Sequence, residues 1–141
     1  MVSEIVEDLV YVGDALDGRN AHEHDRDYDR IITVGGGSHD NTTHYFPLRD
    51  DYGVDHGTFS EAAGCVQSGL MKGETVFIHC AVGASRAPSV TAAAMAVLDE
   101  SSFDEALDEI KSQRGTTRSG NLVNPHPALR ESGEQYVERH S

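Results

Sequence analysis

The sequence is short of cysteine, lysine and long apolar runs, and it has no tryptophan. Its two cysteines, Cys65 and Cys80, can close at most one disulfide. That excludes a disulfide-held scaffold and leads us to expect reduced thiols, one of them at a site. No apolar stretch approaches the ~20 residues of a membrane span. Residues 1–10 carry Glu4, Glu7 and Asp8 where a signal peptide has a basic start and an apolar core. The expected location is therefore cytoplasmic. Basic residues are also scarce: 24 acidic against 11 basic give a formal net charge of -13. Such a field repels nucleic acid and anionic membrane, so neither is expected as a partner.

What is present suits one domain over residues 1–141, large enough for a core without metal or cofactor. Residues 9–12 before Gly13, 30–34 before Gly35-Gly36-Gly37, 44–48 closed by Pro47, and 75–79 read as strands. The last is continuously apolar, as in the middle of a parallel sheet. Phe59, Ala63, Val66 and Leu70 recur at helical spacing after Thr58. A further helix, apolar nearly all round, follows Arg86 with Pro88 in its first turn. Ser102 and Glu105 form a capping box for a helix to about Arg114, and a last helix runs from Pro127 to about Arg139. Residues 17–29 carry no clear stripe and read as a short helix or loop. Strands alternating with helices, then helices alone, predict an α/β fold with a central, mainly parallel sheet flanked by helices.

The chemistry concentrates in VFIHCAVGASRAP, residues 76–88. A buried strand delivers Cys80 to its C-terminal end, where ligands of open α/β sheets bind. The backbone N–H groups of Ala81, Val82, Gly83, Ala84, Ser85 and Arg86, backed by a helix N-terminus, can cradle an oxyanion such as phosphate. The same field favours the ionised form of a thiol at its base, which makes Cys80 a candidate nucleophile. Arg86 can hold two phosphate oxygens at once, Ser85 can donate within the loop, and His79 can shape it by hydrogen bonding.

His79 to Arg86 resembles the H-C-x-x-G-x-S-R signature of the cysteine-dependent protein tyrosine phosphatase superfamily, and within it the compact dual-specificity phosphatases. The segments EIVEDLVYVGD, FPLRDD and VNPHPALRESGEQYV resemble that family's opening, general-acid and closing segments, so the likeness spans about residues 4–137. The resemblance implies a compact three-layer fold and a phosphoprotein phosphatase acting on phosphotyrosine, phosphoserine and phosphothreonine, monomeric and without metal or cofactor. It implies Cys80 as nucleophile, Arg86 as oxygen clamp and Asp50, 30 residues before Cys80, as general acid, with Asp51 the neighbouring alternative. One position departs from the pattern: where the family has Ser or Thr after the arginine to assist the leaving thiolate, this chain has Ala87.

Other readings stand beside these. A phosphate-binding module with little turnover, or a rhodanese-like sulfurtransferase, would also use a cysteine in a sheet-end loop. Cys65 reads as core packing, with a reversible disulfide to Cys80 as the alternative. The run VGGGS lacks the dinucleotide spacing and reads as a flexible turn. His22 and His24 read as solvated, Asp99, Glu100, Asp104, Glu105, Asp108 and Glu109 as a solvated acidic face, and Arg118 and Asn121 as an ordinary loop. The overall acidity resembles that of proteins from salt-loving archaea, with a mesophilic acidic protein as the alternative.

Overall fold

The computed structural model describes residues 2–140; Met1 and Ser141, within the expected 1–141 domain, lie outside them. Five strands form one sheet: β1 (Ser3–Val6), β2 (Val10–Gly13), β3 (Arg30–Thr33), β4 (His44–Tyr45) and β5 (Val76–His79). Their order is β1-β2-β5-β3-β4, and every pairing is parallel except the β1–β2 hairpin. The helices are α1 (Ala15–Arg19), α2 (His56–Met71), α3 (Arg86–Leu98), α4 (Phe103–Arg114) and α5 (Pro127–His140), with a 3-10 turn at Ala21–Glu23.

The alternation of side chains along each strand divides the interior into two unequal cores. Val10, Val12, Ile32, Val76 and Ile78 face the large one, which α2 to α5 close. Tyr11, Ile31 and Phe77 point the other way, where Ala21, Val2 and Tyr28 pack against them. The fold is thus the expected α/β sheet between helical layers, but one layer is thin. His79 shares the thin side with Phe77, their rings 5.4 Å apart. Each fully buried aliphatic or aromatic side chain contributes roughly 1.5–3 kcal/mol, and Val76, Phe77 and Ile78 are all 0% exposed. The loop after β5 accordingly leaves from a fully buried strand end.

The caps lie where the sequence puts them, with small shifts. Ser102 Oγ accepts from Glu105 N–H and Glu105 Oε1 from Ser102 N–H, the reciprocal box that opens α4. Asp55 caps α2, which starts at His56, two residues before Thr58. Arg86 is the first residue of α3 instead of the residue before it, and Ala87 to Ala96 are all buried. The segment 44–48 is a strand for only two residues, because Pro47 cannot donate to the ladder; Phe46 N–H still bonds Thr33 O at 2.9 Å. Residues 17–29 hold the end of α1 and the 3-10 turn. No helix of the described residues is long and apolar enough to cross a membrane.

Candidate active site

Three strand ends converge on the loop: Gly13, His79 and Thr33 lie in register across β2, β5 and β3. Cys80, the next residue, is 2% exposed. Its Sγ accepts from Gly83 N–H at 3.2 Å and from Ala87 N–H at 3.4 Å. Among the described residues no hydroxyl reaches it. Ser85 Oγ is occupied with Asp50 and with His126 N–H, and Ser89 Oγ donates to Ser85 O at 2.6 Å. The sulfur is therefore supported by backbone amides alone, where the sequence left Ser85 open as a donor.

The carbonyls of residues 81–84 are held outward by three other parts of the chain. Ala81 O accepts from Ala15 N–H at 3.1 Å and Ala84 O from Asn124 N–H at 2.9 Å. Arg114 donates from Nε to Gly83 O at 2.6 Å and from Nη2 to Val82 O at 3.4 Å, and it also bonds Val12 O and Ser3 Oγ. With the carbonyls held back, the loop's N–H groups other than that of Gly83, which donates to the sulfur, can face an anion. Gly83 has φ +77°, and a Cβ there would lie 2.7 Å from Gly13 O, so only glycine fits. Burial lowers the pKa of the Arg114 guanidinium from its ordinary value, against the opposing influence of Asp17, Cys80 and Asp14.

Arg114 was not singled out by the sequence, yet a signal existed. Phe103, Ala106, Leu107 and Ile110 make one buried stripe, and Arg114 lies four residues beyond Ile110 on that same stripe. A charged residue on a buried face needs partners, and here they are loop carbonyls.

Arg86 donates from Nη1 to Leu48 O at 3.1 Å, and its Nε and Nη2 make no hydrogen bond among the described residues. A Cβ on Gly35 would lie 2.4 Å from Nη1. The glycine run after β3 is thus a wall of the site, where the sequence suggested only a flexible turn. Asp50 and Asp51 part ways: Ser85 Oγ donates to Asp50 Oδ1 at 2.5 Å, whereas Asp51 pairs with Arg49 at 3.0 Å and accepts from Gly53 N–H at 2.7 Å. Arg49 and Gly53 N–H hold the Asp51 carboxyl below its ordinary pKa. Asp50, Cys80, Val82, Ala84, Ser85 and Arg86 line a cleft of about 460 Å³, closed by Gly120, Asn121, Leu122 and Asn124.

Asn121 therefore borders the cleft, while Arg118 pairs with Asp14 at 2.9 Å and Asp17 at 2.7 Å, tying its loop to α1. Burial alone would raise the Asp14 carboxyl, but Asp17 N–H and Arg118 outweigh it and hold the pKa at about 2. Both cysteines are free: Cys65 Sγ lies 3.5 Å from Arg30 Nη1, and Cys80 faces the loop amides, so the structure does not bring the thiols together. His22 is exposed, whereas His24 is half-buried and bonds Tyr28 OH at 2.7 Å.

Solved structures share this architecture. Human DUSP28 superposes with a TM-score of 0.79 at 16% identity, over 98% of this chain and 93% of that one. DUSP15 gives 0.78 at 19%, over 96% and 86%. A human tyrosine phosphatase-like serine/threonine/tyrosine-interacting protein gives 0.75 at 14%, over 98% and 96%. No family model matches the sequence, and no curated protein matches it. The chain has the fold of the dual-specificity phosphatases.

Proposed function

We infer that the protein is a cysteine-dependent phosphatase that hydrolyses phosphate monoesters of tyrosine, serine and threonine in proteins. Fold alone does not decide activity, and the reading rests on one observation: a buried thiol, an arginine with a free edge and an aspartate bonded to the same loop line one cleft. Cys80 thiolate attacks phosphorus, the P–S bond forms, and the P–O bond to the leaving oxygen breaks. The Nε–Nη2 edge of Arg86 and the amides of residues 81–86 hold the three equatorial oxygens. Asp50, protonated, gives its proton to the leaving alkoxide or phenoxide. As carboxylate it then takes a proton from the water that attacks phosphorus, and the thiolate departs. None of these steps requires a metal or an organic cofactor.

The acidic body favours phosphoprotein over polyanionic substrates at low salt. Steady-state hydrolysis of aryl phosphates tests the assignment. Cys80→Ser abolishes turnover, and Asp50→Ala slows esters of basic leaving groups by the 10²–10⁴ expected of a lost general acid while Asp51→Ala does not. Hydrolysis surviving in the Cys80 variant, or thiosulfate sulfur transfer without phosphatase activity, would overturn the reading.

A further inference from the structure

On the thin side of the sheet lies a pair of imidazoles that the proposed chemistry does not use directly. His39, in the turn after β3, stacks on His79 with ring centroids 4.9 Å apart. Their Nε2 atoms are 2.9 Å from each other, and His79 Nε2 is also 2.8 Å from Thr33 Oγ1. The other nitrogen of His39, Nδ1, accepts from Asn41 N–H at 3.2 Å.

These contacts determine where the protons are. A neutral imidazole has one N–H and one acceptor nitrogen. Because His39 Nδ1 accepts a backbone N–H, its own proton is on Nε2. That proton points at His79 Nε2, which must then be the acceptor. His79 therefore carries its proton on Nδ1. That atom is buried with no hydrogen-bond partner among the described residues, and the backbone of the adjoining Cys80 acts to raise the basicity of the ring.

We propose that His39 is a positioning residue: it fixes His79 in the Nδ1–H tautomer, which places the positive end of the ring dipole under the Cys80 backbone and supports the thiolate. Without a donor at position 39, His79 can turn its proton onto Nε2 and give it to Thr33 Oγ1. Its Nδ1 lone pair would then face the nucleophile. The proposal rests on Cys80 being the nucleophile.

The charges around the pair agree with neutral rings. Burial, then Arg19, lowers the His39 pKa, with Asp40 opposing. Burial, then His39, lowers that of His79 to about 4, with Asp14 opposing and Arg19 adding to the fall. Arg19, His22, Asp40 and Asn41 line the cleft onto which His39 opens, so the outer ring is reached by solvent and the inner one is not.

The test reads the tautomer and the thiol separately. A long-range ¹H–¹⁵N spectrum of the wild-type protein should show His79 protonated at Nδ1; protonation at Nε2 overturns the proposal without any variant. The pH dependence of iodoacetamide alkylation, followed on the Cys80 peptide by mass spectrometry, should move up by about one unit in His39→Phe, which fills the space without a donor. His39→Gln, which restores an N–H donor, should return close to wild type. An unshifted His39→Phe profile, or equal shifts in both variants, contradicts the proposal. Neither readout requires turnover, so the predicted tautomer and shift in a protein that hydrolyses nothing would sink the phosphatase reading and leave this one standing.

Discussion

Ala87 departs from the resemblance that guided the reading, and its consequence belongs to a single bond. Its N–H lies 3.4 Å from Cys80 Sγ, but its methyl offers no hydroxyl, and Ser85 and Ser89 are committed elsewhere. A hydrogen bond to a charged group contributes about 1.5–3 kcal/mol, which corresponds to roughly tenfold or more in rate. Ala87→Ser should accordingly speed breakdown of the phosphocysteine about tenfold, with the rate of its formation little changed. Rapid-quench kinetics separate the two steps, and identical breakdown rates would show that the amides alone suffice. At this scale the sequence singled out Cys80 and Arg86 as candidates through their spacing. It favoured Asp50 over Asp51 by spacing, and the folded loops add different partners for each, Ser85 for Asp50 and Arg49 for Asp51.

At the scale of elements, the last turn of α4 holds the Cys80 loop in shape. Arg114 is 6% exposed and bonds two loop carbonyls, a β2 carbonyl and a β1 hydroxyl. Arg114→Met keeps the aliphatic stem but leaves buried acceptors unpaired, at about 1–3 kcal/mol each. We expect a loss of at least ~2 kcal/mol by urea denaturation together with weakened phosphate binding. Full stability with intact binding would show that the loop holds itself. The helices α2 to α5 were readable because their apolar spacing and caps are local properties. The hairpin partner β1 was not, and β4 was read as too long, since strands that short are bounded by pairing to β2 and β3 rather than by their own residues. Arg114 was legible only as a charge on an apolar stripe, and the sequence does not say which carbonyls would meet it.

For the molecule as a whole, stability should depend on pH through His79 and Asp14 and on salt through net charge. The His79 pKa falls from its ordinary value of 6.5 to about 4 in the folded protein. Its contribution is therefore fully present above pH 6.5 and is lost as pH falls toward 4, because the unfolded chain takes up the proton first. The loss amounts to about 3 kcal/mol. Asp14, held at about 2, adds a further loss as pH falls from 3.8 toward 2. Urea midpoints across this range measure both, and a flat profile between pH 6.5 and 5 would contradict the burial of a neutral His79. The formal charge of -13 opposes compaction, and raising salt from 0.1 to 1 M shortens the Debye length from about 10 to 3 Å. The melting temperature should rise accordingly. No change with salt would remove the argument that this surface is adapted to saline conditions.

The central claim is that phosphate passes through a covalent bond to Cys80. An acid quench of the wild-type protein in the first turnover of p-nitrophenyl phosphate, followed by peptide mass spectrometry, tests it most directly. One phosphoryl group should be found on the Cys80 peptide, in step with a stoichiometric burst of p-nitrophenol, and neither should occur in Cys80→Ser. Turnover with no phosphoryl group on Cys80 at any time would contradict the account.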